Sequence, residues 1–176
     1  MRRLSLLLLT VCFAAVVNAQ VDVTATGGTL NASYTTLKGA FDAINAGTHT
    51  GTITIGLSGN TTETAPAVLN ASGSGAASYT TISVSPTGGA ARSVSGAIVA
   101  GSPLIDFNGA DNVTVDGLNS GGNSLTIENT TVSATSGTST IRFIGGATGN
   151  TITNCSVKGA GTMSVATNGA TIFFST

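Results

Sequence analysis

From Gly51 onward, apolar and polar side chains alternate in short bursts. Thr52-Ile53-Thr54-Ile55-Gly56-Leu57, Thr81-Ile82-Ser83-Val84, Asn112-Val113-Thr114-Val115-Asp116 and Ser124-Leu125-Thr126-Ile127-Glu128 all follow a period of two. Such runs predict strands with one apolar and one polar face. Runs of Gly, Ser, Asn and Thr separate them and predict turns. One segment has a different period. Within Thr35–Ala46, Leu37, Phe41 and Ile44 fall at i, i+4 and i+7, which predicts a single amphipathic helix. Thr35 or Thr36 is placed to cap its start, and Gly47 to end it. Before the helix, Gln20–Ser33 reads as an entry segment with a turn at Gly27-Gly28.

The bursts repeat. Ile105-Asp106-Phe107-Asn108-Gly109-Ala110 returns as Ile141-Arg142-Phe143-Ile144-Gly145-Gly146-Ala147, 36 residues on. Thr114-Val115-Asp116-Gly117-Leu118 returns as Thr151-Ile152-Thr153-Asn154-Cys155, 37 residues on. Thr171-Ile172-Phe173-Phe174 follows Thr140-Ile141-Arg142-Phe143 by 31. Units at a loose period of this size bury their apolar sides on one another. Between Ile105 and Ile141 three strands are expected, at Ile105–Phe107, Val113–Leu118 and Leu125–Ile127. Ile141–Ile144, Ile152–Val157 and Met163–Val165 would repeat them.

The expected fold is therefore all-β: a right-handed parallel β-helix with three strands per turn and an N-terminal amphipathic capping helix. Roughly four turns would fit, with Ile105, Phe107, Ile141 and Phe143 pointing inward. An antiparallel sandwich is the alternative, although hairpin dipeptides of the Asn-Gly type are few. A turn left open at Thr176 would expose unpaired backbone, so a piece of a longer protein is expected.

Three segments follow: 1–19, 20–50 (entry segment and capping helix) and 51–176 (the incomplete array). Residues 1–19 have the form of a cleaved signal peptide, with basic Arg2-Arg3, an apolar run from Leu4 to Val17, and Ala19 before Gln20. A twin-arginine signal lacks the rest of its motif, and a lipoprotein signal at Cys12 is disfavoured by the bulky Val11. The expected location is secreted or extracellular, including a bacterial cell surface, with no membrane insertion after cleavage. The remaining 157 residues carry four Lys or Arg against seven Asp or Glu, a net −3. So thin a basic complement excludes nucleic acid and anionic membranes as partners. Low charge does not imply disorder, because Val, Ile, Leu and Phe recur throughout.

Tyr34–Gly47, Gly51-Thr52-Ile53-Thr54-Ile55, Leu104–Leu118 and Gly149–Cys155 together resemble the start of pectin-lyase-like right-handed β-helix proteins. More narrowly, they resemble large surface proteins exported by bacteria of the Bacteroidetes type. The resemblance implies a helix-capped array, with an enzyme's acids, where present, clustered on adjacent turns.

The residues present do not read as that cluster. Asp106, Asp111 and Asp116 lie five apart, and along one strand Asp111 and Asp116 would face opposite ways. His49 is expected to be a solvated residue in the loop after the helix. Arg142 falls one period after Asp106, which predicts an exposed ion pair worth about 0–1 kcal/mol. Lys158 has no acidic cluster beside it. A calcium site among the three Asp residues lacks the Gly-Gly-x-Gly-x-Asp repeat of calcium-binding β-rolls. Cys155 aligns with Leu118 and is expected to be a small buried hydrophobe. Phe107, Phe143 and Phe173 read as an internal stack. Tyr34 and Tyr79 lie outside the repeated strands, and there is no Trp to form a sugar platform. Thr52-x-Thr54 and Thr151-x-Thr153 suggest an ice-binding ladder, against which the uneven spacing argues. The Asn-x-Ser/Thr sites at Asn31, Asn60, Asn70, Asn112, Asn129 and Asn154 read as a consequence of composition.

The sequence thus singles out no catalytic, cofactor-binding or metal-binding residue. The expected function is a non-catalytic surface module, adhesin-like or structural, with a polysaccharide or a protein as its unknown ligand. The alternative is a polysaccharide-active or carbohydrate-binding β-helix whose active turns lie beyond Thr176.

Overall fold

The computed structural model describes residues 18–161 and 170–175. The apolar run of the expected signal peptide and the expected strand Met163–Val165 lie outside these residues.

The chain begins with strands β1 (Val21–Gly28) and β2 (Asn31–Tyr34), then helix α1 (Leu37–Asn45). After α1 it winds through three sheets in turn. Sheet 1 takes β3 (His49–Leu57), β6 (Tyr79–Pro86), β9 (Val113–Asp116) and β12 (Thr151–Thr153). Sheet 2 takes β4 (Thr61–Thr62), β7 (Ala91–Gly96), β10 (Ser124–Ser133) and β13 (Cys155–Gly161). Sheet 3 takes β5 (Ala67–Asn70), β8 (Pro103–Asn108), β11 (Ser139–Ile144) and β14 (Ile172–Phe174). Neighbours within these series are parallel. The result is a β-solenoid of about three turns, fewer than the four expected. It also overturns the antiparallel sandwich. Among the described residues, antiparallel strand pairing is confined to β1, against β2 and β3.

Like side chains stack in register from turn to turn. Leu69, Phe107, Phe143 and Phe174 form one column of sheet 3, and Ala67, Ile105, Ile141 and Ile172 another. Ile105, Phe107, Ile141 and Phe143 are all buried, as expected. The Phe column corrects one detail: Phe174, not Phe173, lies over Phe143, with ring centroids 4.9 Å apart. Phe173 stands over Arg142 in the outward column. The offset of 31 that carries Ile141 to Ile172 also carries Arg142 to Phe173 and Phe143 to Phe174.

The uneven period is absorbed at the corners. Between β9 and β10 the corner runs from Gly117 to Asn123; between β12 and β13 it is Asn154 alone. Asn154 turns the chain in the left-handed region, φ 54°, where Asn is tolerated because its short side chain bonds locally. The expected strand Ile152–Val157 is therefore two strands on two sheets, and Cys155–Gly161 is the third strand of that turn's sequence.

The entry segment holds more structure than a turn. Val21, Val23 and Ala25 alternate inward, and β1 extends sheet 1 beyond β3. Helix α1 starts at Thr36, whose hydroxyl accepts from Gly39 N at 3.0 Å. It ends at Ala46, with Gly47 at φ 73°. Its buried face is Leu37, Ala40, Phe41 and Ile44. Phe41 meets Phe107 at a centroid distance of 6.4 Å. A nine-residue helix is marginal alone, so this docking supplies its stability.

Candidate functional site

The carboxylates expected from sequence do not converge. Each is tied to the neighbouring turn or to the helix. On β8, Asp106 is 4 % exposed and takes both Nε and Nη2 of Arg142, at 3.0 and 2.6 Å. The expectation of an exposed pair is thus corrected. The outward column places Asp106 between Val68 and Arg142, and the planar guanidinium covers the carboxylate in a fork. The hydrogen bond that Arg142 donates to Asp106 raises the Arg142 pKa further, against partial desolvation.

Asp111 precedes β9, and its Oδ1 accepts from Thr148 N at 2.6 Å and Thr148 Oγ1 at 2.8 Å. Asn112, at φ 58°, stands between Asp111 and the strand. The alternation argument for Asp111 and Asp116 fails for that reason: the two do not share one extended strand. Asp116 Oδ1 accepts from Asn154 Nδ2 at 2.9 Å and Leu118 N at 2.8 Å. These two bonds, that from Asn154 first, hold its pKa below the usual value. Among the described residues no three His, Cys, Asp or Glu side chains gather as metal ligands.

His49 is not a solvated loop residue. It is fully buried at the start of β3. Its Nε2 lies 2.7 Å from the Tyr34 hydroxyl and its Nδ1 2.5 Å from Thr29 O. It ties β2 and the β1–β2 connection to sheet 1. The alternation of β3 carries the reason: His49 is two residues before Gly51 and faces the hairpin rather than the loop. Tyr79 likewise opens strand β6 instead of lying outside the array. It is buried, and its hydroxyl donates to Asn70 O at 2.6 Å. Burial first, and then the charge of Asp111, push its pKa up to about 12.

Cys155 is half-buried and pairs in register with Leu125, not Leu118. Leu118 lies in the long corner with φ 62° and is exposed. Burial pushes the Cys155 thiol pKa up, so the thiolate is disfavoured.

Two residues essential to this arrangement carry no sequence motif. Glu63 is buried, and its carboxylate accepts from Leu37 N at 2.9 Å and Lys38 N at 3.1 Å. An anion at a helix N-terminus satisfies free N–H groups and the helix dipole together. Asn45 donates to Val68 O at 2.8 Å and accepts from Asn70 N at 3.0 Å. Its amide stands where a further strand of sheet 3 would pair with β5. The signal for Glu63 was its isolation: it is the one charge between Asp42 and Arg92. Nothing in the sequence marks Asn45. Several Asn of the Asn-x-Ser/Thr triplets also bond across the fold: Asn60 to Ser93 N, Asn70 to Asn108, Asn129 to Ser139 O and Asn154 to Asp116.

An apolar cavity of about 800 Å³ opens beside Phe143, Ala147, Phe173 and Phe174. None of its lining residues is ionisable. Phe174 is 72 % exposed there. No helix among the described residues is long and apolar enough to cross a membrane. Comparison with protein-family models, characterised proteins and solved structures returns no match. The resemblance to pectin-lyase-like proteins rests on the quoted residues alone.

Proposed function

We propose that this chain is a secreted or cell-surface, non-catalytic β-solenoid module with a structural or adhesin-like role. One observation carries the reading: four of its carboxylates serve as pegs. Asp106, Asp111 and Asp116 each bond to a residue of the next turn, and Glu63 to the helix start. A general acid–base pair needs two carboxyls about 5–9.5 Å apart and free to exchange protons with substrate. A carboxylate whose oxygens are engaged by Arg142 or by backbone N–H groups is already occupied.

The finer architecture belongs to the same proposal. A strand on each of three sheets per turn, joined by crossovers, favours right-handed winding. Helix α1, with Glu63 and Asn45 fixing its ends, serves as a cap over the first turn. The pectin-lyase-like resemblance and the signal-like residues 1–19 agree with an exported solenoid whose ligand is a polysaccharide or a protein.

A glycan array, with reducing-sugar release measured on pectic and other polysaccharides, tests the proposal. No release is expected. Asp106→Asn, Asp111→Asn and Asp116→Asn should lower stability only. Measurable release, abolished by one of these changes, would favour the polysaccharide-active alternative and overturn the proposal.

A further inference from the structure

The outer face of sheet 1 differs from the others. In register across five strands stand Thr24, Thr54, Ser83, Thr114 and Thr151. All but the half-exposed Thr114 are exposed. A second column, Thr52 over Thr81, stands two residues away on β3 and β6, and both are exposed. The hydroxyls of Ser83 and Thr54 are 3.5 Å apart. The residues between them, Ile53, Ile55, Ile82, Val84, Val113 and Val115, are buried. Neither column holds a charge or an aromatic ring; the charges on this face, Asp22 and Asp116, flank the central column two residues from Thr24 and Thr114. Sheet 2 carries Glu128 opposite Lys158, and sheet 3 carries Asp106 opposite Arg142. The uneven sequence period, which argued against a regular ladder, is taken up at the corners and leaves these columns in register.

We propose that this face binds ice. Rungs recur about 4.8 Å apart across strands and about 6.7 Å apart along them. The central column therefore spans about 19 Å. Oxygen rows on the prism faces of ice recur at nearly these two spacings. Each hydroxyl exchanges one water contact for another and gains little alone. A small soluble ligand would also lose translational and rotational freedom. A rigid lattice that meets many rungs at once adds their small gains together. Four of the five central rungs are Thr, stiff at χ1, so their hydroxyls and methyls are already placed. The missing aromatics disfavour sugar stacking on the same face. This proposal stands apart from the non-catalytic reading, since either can fail alone.

The test is ice-affinity partitioning of the full chain in slowly grown ice, with thermal hysteresis measured alongside. Enrichment in the ice fraction is expected. Thr54→Lys, at the centre of the ladder, should reduce that enrichment several-fold. Ser156→Lys, on the exposed face of sheet 2, should leave it unchanged. Circular dichroism reports folding, and Thr151→Lys on the last strand of sheet 1 is the second variant if Thr54→Lys unfolds. Exclusion of the folded chain from ice would overturn the proposal. So would undiminished incorporation of a folded ladder variant, or retention on crystalline chitin or cellulose without incorporation into ice.

Discussion

Removing the Asp106 carboxylate tests whether the turns are joined by buried polar pegs or by surface decoration. The perturbations are Asp106→Ala, Arg142→Ala and the double variant. Sequence spacing alone gives an exposed pair worth about 0–1 kcal/mol. The geometry gives more. Asp106 is 4 % exposed, the Arg142 side chain is 24 % exposed, and two bonds join them in a fork. Removing one partner of a fully buried pair costs about 3–5 kcal/mol. The remaining access of Arg142 to water discounts that to about 2–3 kcal/mol for Asp106→Ala. The double variant should lose little more than Asp106→Ala, so the cycle should return a coupling of about 1.5–2 kcal/mol. Urea unfolding of the four proteins, followed by tryptophan-independent far-ultraviolet circular dichroism and by hydrogen exchange, measures it. Stacked units can lose cooperativity, so both probes must report one transition before the cycle is read. The coupling should persist in high salt, because a half-buried pair is poorly screened. A coupling below about 0.5 kcal/mol, or one that vanishes with salt, refutes the reasoning and restores the surface-pair reading.

Further expectations follow from the same geometry. Glu63→Ala strands Leu37 N and Lys38 N without their acceptor and should cost about 2–3 kcal/mol in thermal or urea unfolding, with Glu63→Gln costing less; equal stability of all three would contradict the anchoring role. Gly96→Ala drives a methyl into the Glu63 carbonyl of the neighbouring turn and should destabilise by about 1–3 kcal/mol. Asn154→Val places a β-branched residue at φ 54° and should cost about 1–3 kcal/mol, while Asn154→Gly keeps the backbone and loses only the bond to Asp116, at about 0.5–1.5 kcal/mol. Tyr79 holds its proton to a pH of about 12, above the ordinary 10.0. The folded state therefore binds that proton more tightly than the unfolded one. Its contribution is complete below pH 10 and declines as pH rises through 12. Tyr79→Phe should flatten that alkaline decline, and an unchanged pH profile would count against it.

What the sequence revealed was what its periods encode. Period two predicted β3, β6, β9 and β10, and the 36-residue return of Ile105 and Phe107 predicted their stacking on Ile141 and Phe143. The 3.6 period gave α1 and its buried face. The misses have physical causes. Val21, Val23 and Ala25 alternate, but three apolar positions ending at a Gly27-Gly28 turn are too short a run to mark a strand. His49 stood after Gly47 and read as loop, although its ring is enclosed by Tyr34 and Thr29. The Cys155 alignment assumed corners of equal length, whereas Phe173 stands beside the residue, Phe174, that the offset of 31 puts on Phe143. Of the site, the Asp106–Arg142 pairing was legible because both lie in a strand repeat. Its burial was not, because the fork geometry and the column around it come from three turns at once. Glu63 and Asn45 act on backbone groups, and a backbone partner leaves no mark in a side-chain pattern.

Those corners explain how a chain with no exact repeat keeps long ladders. Along sheet 1, Ile53 to Ile82 is 29 residues and Val115 to Ile152 is 37, yet both pairs stand in register. The strands tolerate little change, since a one-residue slip would turn every Ile and Val outward. The corners tolerate much, because they need only return the chain to the next sheet at the right height. Pegs then fix that height: Asp111 on Thr148, Asp116 on Asn154, Asn150 on Ala110 O and Val113 N. A chain built this way spends several of its few charges on spacing between turns and leaves two columns of sheet 1 with hydroxyls alone. The same division of labour accounts for the acidic residues that do not converge on a substrate and for the uncharged ladder that faces water.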